Sequence, residues 1–203
     1  MKPYQMMRQS GAVAGRGAFA YTTLSASDKS AGITLSGGNL VASASGTSNG
    51  IVRSVKNIIG KRYFEALFGG SVLTGAIQAA GVATSAHALT ASLGYANPEG
   101  WAFWGENVGA RHNGTTAIPS LGPGGTVLGF AVDQAAGKMW IRKNGVWLQG
   151  APESGTSPIW SNLAGTLYAA ACPWANGIVT TMRFDPLTFR DPAPDGFDPI
   201  YSS

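Results

Sequence analysis

The chain has 203 residues, of which 44% are apolar and 12% charged, with one cysteine and a formal net charge of +4. That length suits one domain with its own core. The lone Cys172 excludes an intrachain disulfide and a cysteine-based zinc cluster, and so modest and dispersed a positive charge gives nucleic-acid binding no footing. Charged residues occur at about half the usual share, so Gly, Ser, Thr, Ala and Asn supply most of the solvent-facing surface. That style suits extracellular and virion β-proteins.

Residues 1–24 carry Gly11, Gly15 and Gly17 and lack clear periodicity, as an arm or a first edge strand would. They contain no apolar run of the kind a secretory signal needs, and no stretch of the chain approaches the 18 apolar residues of a membrane span. Residues 1–62 hold eight cations and one anion (Asp28), whereas residues 185–198 hold four aspartates and only Arg190. Two readings stay open: a head-to-tail contact, within one chain or between copies in a homo-oligomer, and plain solvated charge. Only residues 2–9 and the alanine-rich 83–93 could hold a helix.

The remaining pattern is strands of five to eight residues punctuated by Gly, Asn, Pro and Ser. "GITLSGGNLVAS" (32–43) is two short runs about Gly37-Gly38, and "GIVRSVKN" (50–57) alternates. "KRYFEALFGG" (61–70) is aromatic and apolar with Glu65 inside it, and "GAIQAAGVAT" (75–84) is small and apolar. "GWAFWG" (100–105) has Trp101 and Trp104 three positions apart, so alternation sends them to opposite faces. "TVLGFAVDQAAGKMWIRKNGVW" (126–147), "TLYAAACPW" (166–174) and "GIVTTMRFD" (177–185) complete ten to twelve strands of an antiparallel two-sheet sandwich. Residues 186–203, with four prolines, cannot form an internal strand and are expected to lie extended across the sandwich.

Asn144-Gly145 is the dipeptide that a two-residue hairpin turn prefers, because both positions need positive φ. The hairpin register sets Lys143 opposite Val146, Arg142 opposite Trp147, Ile141 opposite Leu148 and Trp140 opposite Gln149. Met139, Ile141, Val146 and Leu148 share one face, a core face. Trp140, Arg142, Trp147 and Gln149 share the other, expected to be covered by an end of the chain or to touch a partner.

The ordered series "SDKSAGITLSGGNLVA" (27–42), "KRYFEA" (61–66), "GVAT" (81–84), "GWAFWG" (100–105), "RHNGTT" (111–116), "GGTVLGFAVD" (124–133), "GKMWIRKNGV" (137–146), "LYAAACPW" (167–174) and "PAPDGF" (192–197) resembles a SPRY domain of the concanavalin-like sandwich type, in the form often encoded by phages and prophages. The resemblance implies an all-β jelly-roll sandwich over 25–203, with the tail 186–203 extended and residues 1–24 anchoring it. Departures are Thr126, where family members usually have an aspartate, Trp140 and Trp147, where many have small polar residues, and Tyr63-Phe64 in place of a tryptophan. These departures leave ligand identity unassigned.

Catalysis finds little support. Sandwich glycosidases need two carboxylates flanking a bond, and none of the ten carboxylates forms such a set on a strand. Glu65 reads as a buried, paired carboxylate, most simply with Lys61, Arg62 or another cation. His87 and His112 lie apart, with no ligand set, so no metal is expected. Cys172 reads as a buried small hydrophobe. No phosphate loop, nucleophile elbow or dinucleotide fingerprint is present, so neither a cofactor nor an enzyme is expected. Recognition remains. Exposed tryptophans beside Arg, His and Asn suit glycan stacking or a protein contact, which makes Trp104, Arg111, His112, Asn113, Trp140, Arg142, Trp147 and Trp160 the candidate partner-binding residues. The resemblance implies a virion protein made in the host cytoplasm, as a capsid decoration, fibre or tail-associated module. Its partners would be other virion proteins, through residues 1–24, or a host-surface glycan or protein. An intracellular peptide-binding adaptor is the alternative, and a sandwich-fold carbohydrate-active enzyme a weaker one.

Overall fold

The computed structural model describes residues 20–46, 50–70, 78–105, 109–118 and 126–202. Among the described residues fourteen strands run in chain order: β1 (Leu24–Lys29), β2 (Ile33–Ser36), β3 (Val41–Ala44), β4 (Val52–Asn57), β5 (Lys61–Gly70), β6 (Gln78–Thr84), β7 (Gly100–Trp104), β8 (Gly109–His112), β9 (Thr115–Ile118), β10 (Val127–Asp133), β11 (Lys138–Lys143), β12 (Val146–Trp147), β13 (Leu167–Pro173) and β14 (Ile178–Arg183). They form two seven-stranded antiparallel sheets. Sheet I has the order β1-β4-β13-β6-β7-β8-β9 and sheet II the order β12-β11-β10-β5-β14-β3-β2. The expected all-β sandwich is what the chain forms.

Local chemistry explains the hairpins. Asn144 and Gly145 take φ of 49° and 88°, so the turn pairs Lys143 with Val146 and Arg142 with Trp147. The Leu148 amide still bonds the Ile141 carbonyl, but the ladder then ends. Trp140 and Gln149 instead bond the 156–158 backbone, Trp140 through Nε1 to the Thr156 carbonyl and Gln149 through Nε2 to that of Pro158. "RHNGTT" is a second hairpin: Asn113 and Gly114, with φ of 46° and 79°, turn β8 into β9. Reading only a turn there missed both strands. The window 83–93 holds no helix; it is the end of β6 followed by turns. Packing overrides alanine's helix propensity here, because the small residues of β6 admit their neighbours closely. A Cβ on Gly81 would overlap the Trp101 carbonyl. The other helical window, 2–9, and most of the expected arm lie outside the described residues.

The inner faces of both sheets make the main core. Phe64, Phe130 and Phe184 cluster there, the first two stacked at 5.0 Å, with Leu128, Val82, Phe103, Met139 and Ile141 around them. Each fully buried side chain of this kind stabilises by roughly 1.5–3 kcal/mol. Unlike a simple sandwich, neither outer face is bare. Residues 85–99 lie on sheet I, where Leu89 and Leu93 pack with Trp104, Ile51, Ala79 and Cys172. The C-terminal segment crosses sheet II, where Phe189, Ala193 and Phe197 pack on Tyr63, Ala131, Trp140 and Trp147. The molecule is therefore two sheets between two covering segments. After crossing, the chain rejoins the edge of β5: the Tyr63 amide bonds the Asp198 carbonyl, Ile200 enters the core, and Tyr201 bridges to Tyr21.

Candidate functional site

The tryptophan-bearing face of the hairpin is closed by the tail. A turn of 3-10 helix (Pro186–Thr188), capped by the Asp185 carboxylate, reverses the chain after β14. Residues 189–197 then run over β5, β10 and β11. Beneath them Glu65 is fully buried. Its carboxylate accepts from the Tyr63 hydroxyl (2.8 Å), the Arg190 amide (2.7 Å), the Asp191 amide (3.3 Å) and the Arg183 guanidinium (3.3 Å). Arg142 Nη2 lies 3.7 Å from the same carboxylate and donates to the carbonyls of Asp191 and Pro192, while its Nε donates to Tyr63. Burial, and next the Glu65 charge, push the Tyr63 phenol far above its ordinary pKa, so it stays a donor. A Cβ at Gly129 would overlap the Tyr63 hydroxyl, so this strand position must be bare.

Glu65 is thus paired as expected, but with Arg142 and Arg183. Lys61 and Arg62 point elsewhere, to Asp133 and Asp198. The reason is strand alternation: residue 65 shares the outer face with its cross-strand neighbours on β10, β11 and β14. Arg142 also lies over the rings of Tyr63 (4.7 Å) and half-buried Trp147 (5.2 Å). The cluster is an internal latch for the tail.

Sheet I repeats the device. Arg53, 5% exposed, grips Asp28 with two bonds of 2.7 Å and donates Nη1 to the carbonyls of Thr84 and His87, at the root of the covering segment. Trp104 faces this side and donates Nε1 to the Leu93 carbonyl. Trp101 faces the main core, stacks on His112 at 4.6 Å and donates to Asn162. The two tryptophans do point to opposite faces, but both faces are buried. Trp160 is also enclosed: residues 159–160 bond the Met139 backbone, continuing the sheet beside β11.

Of the candidate partner-binding residues, Trp104, Trp140, Arg142 and Trp160 are therefore enclosed by the chain itself and lie outside any solvent-facing surface. Trp147 and His112 are half-buried, Arg111 half-buried over the exposed Tyr95 ring at 4.7 Å, and Asn113 exposed in its turn. Alternation could not reveal this, because it names faces and not what lies on them. Cys172 is buried as expected, and burial pushes its thiol up to about 11. Among the described residues no group of three His, Cys, Asp or Glu side chains gathers as a metal site. No helix among them is long and apolar enough to cross a membrane.

An open site lies where sequence reasoning did not look, at the pole where the described chain begins and ends. A groove of about 210 Å³ is lined by Lys56, Asn57, Ile59, Arg62, Ile200 and Tyr201. Ile59, on the β4–β5 connection, is 63% exposed, whereas Ile200 forms a buried floor. Arg62 is held by Asp198 at 3.3 Å and lies over the Tyr201 ring, which stacks on Tyr21. Thr22 is fastened alongside, its hydroxyl accepting from the Lys56 amide. The volume falls below the ~300–1,000 Å³ of small-molecule sites and suits one or two side chains. Its walls are cationic and apolar.

No protein-family profile matches the chain, and no curated protein matches it in sequence. Solved structures match its fold. The TRIM65 PSpry domain superposes with a TM-score of 0.58 at 18% identity, over 81% of this chain and 93% of that one. The SPRY domain of human HERC1 gives 0.57 at 14% identity, over 74% and 91%. Stonustoxin gives 0.57 at 18% identity over 80% of this chain but 27% of its own, so this chain spans little more than a quarter of that protein. The architecture is that of a SPRY domain.

Proposed function

We propose that this chain is a non-catalytic recognition module that grips a protein partner at the pole groove, and that it works on a phage particle. The observation that carries the binding reading is the groove itself, an open cavity sized for side chains and walled by Ile59, Lys56, Arg62 and Tyr201. The SPRY fold supports it, as does the self-contained pairing of the buried charged groups. Glu65, Arg142 and Arg53 are committed to holding covering segments. The particle setting rests on the sequence: its resemblance to phage-encoded SPRY forms and its glycine-rich, weakly charged composition. The described chain begins beside the groove, at Tyr21 and Thr22. Arm and groove together would dock the module onto a neighbouring virion protein.

The test has two arms. Mass spectrometry of purified particles of the encoding phage should find the chain at stoichiometric levels. Its absence there, with one host protein dominating a pull-down, would favour the intracellular adaptor. A paired Ile59→Asp, Lys56→Glu variant should keep its melting temperature and bind its particle partner at least tenfold more weakly, about 1.4 kcal/mol or more. Unchanged binding would remove the groove from the account.

A further inference from the structure

Four arginines stand on the outer faces of the sheets; Arg183 pairs with Glu65, and two others hold covering segments. Arg53 takes the carbonyls of Thr84 and His87 with the carboxylate of Asp28, and Arg142 takes the carbonyls of Asp191 and Pro192 beside Glu65. Arg111, on β8, has no such partner. Its Nε is buried with no hydrogen bond, and no carboxylate among the described residues pairs with its guanidinium. Among the described residues it rests on the ring of Tyr95, itself 52% exposed. A half-buried cation left in this state is a site lacking its anion.

The missing partner has a place to come from. Among the described residues β9 is the last strand of sheet I; Thr115, Thr116 and Ala117 are exposed and carry neither charge nor proline. Natural edges are usually guarded by one or the other. The two-residue Asn113-Gly114 turn makes His112 and Thr115 the hydrogen-bonded pair, so the amide and carbonyl of Thr116 point to the open edge. Thr116 is also the cross-strand partner of Arg111, and its small side chain shares the outer face.

We propose that β9 accepts an extended, acidic segment of a partner protein as an eighth strand, with a carboxylate reaching across Thr116 to Arg111. An added strand would lie two strand spacings from β8, roughly 10 Å, a gap that an arginine and a glutamate span together. The backbone of Thr116 supplies affinity and Arg111 supplies charge selection, the division of labour expected of strand addition. This surface is separate from the pole groove, and either can fail without the other.

The probe is a capped seven-residue peptide of alternating valine and glutamate, with a valine–lysine peptide as control, titrated into the full chain by NMR. The glutamate peptide should shift the amides of Thr116 and Tyr95 and bind at least tenfold more tightly than the lysine peptide. Arg111→Gln should abolish that preference while leaving weak edge pairing. Thr116→Pro, which removes an outward amide that the β8–β9 ladder does not use, should abolish binding with the melting temperature kept. Equal affinity for the two peptides, no binding of either, or shifts confined to residues away from β9 would each overturn the proposal.

Discussion

Replacing Glu65 by glutamine tests the tail latch with almost no change in shape. The native carboxylate is fully buried and accepts from Tyr63, Arg183 and the amides of Arg190 and Asp191, while Arg142 balances its charge. In Glu65→Gln one acceptor becomes a donor facing other donors, and Arg142 keeps a buried charge without its counter-ion. Breaking a buried pair from one side costs about 3–5 kcal/mol, a large part of the ~5–15 kcal/mol total of a typical domain. For a chain of this size that lowers Tm by about 6–20 °C. The effect should start locally. Hydrogen exchange read by mass spectrometry should show the Arg190 and Asp191 amides protected in the native chain and exposed in the variant, with the β5–β10 ladder still protected below the main transition. Trypsin should then cut after Arg190. A Tm within 2 °C of the parent, with those two amides exchanging unchanged, would refute the latch.

Three further outcomes follow from buried groups. Gly129→Ala should destabilise by about 1–3 kcal/mol, the usual range for overpacking, because its Cβ would displace the Tyr63 hydroxyl from Arg142 and Glu65; an unchanged denaturation midpoint contradicts this. Burial holds the His87 imidazole below its ordinary pKa of about 6.5. The unfolded chain therefore binds a proton that the folded chain resists, so stability is full above that pH and falls below it, by at most ~1.4 kcal/mol per pH unit. His87→Gln should flatten that acid limb, and an identical urea midpoint profile between pH 5 and 8 would reject the assignment. Cys172 is fully buried with its thiol raised to about 11, so iodoacetamide at pH 8 should label it only after unfolding. Stoichiometric labelling of the native chain would mean that its covering layer opens.

Much of the fold was legible because it rests on short-range rules. Asn144-Gly145 announced the β11–β12 turn through its dihedral needs, and alternation along "GKMWIRKNGV" separated Met139 and Ile141 from Trp140 and Arg142 as observed, but Val146, expected on the core face, is exposed beside the turn. Proline density correctly kept 186–203 out of the sheets, and the outer hairpin face was indeed covered by a chain end. What the sequence hid was the second layer on each outer face. Residues 83–93 read as a helix window because alanine content carries no information about a Gly81 that lets Trp101 approach. β8 and β9 hid behind their own turn, since four residues are too few to show a period. The partner of Glu65 stayed open between Lys61, Arg62 and another cation for a related reason: Lys61 and Arg62 are nearer along the chain, but Arg142 and Arg183 share its face. The pole groove brings together residues 56–62 and 200–201, a contact made only when the tail returns to β5.

The most direct test of the account is a hydrogen-exchange footprint of the chain bound to its purified partner from the particle, compared with the free chain. The account predicts new protection over residues 56–62 and 198–202, with 138–149 and 189–197 unchanged because hairpin and tail are already latched together. Protection of the 138–149 hairpin by the partner, with the tail amides of Arg190 and Asp191 released, would contradict it and return the tryptophan face to the role of binding surface.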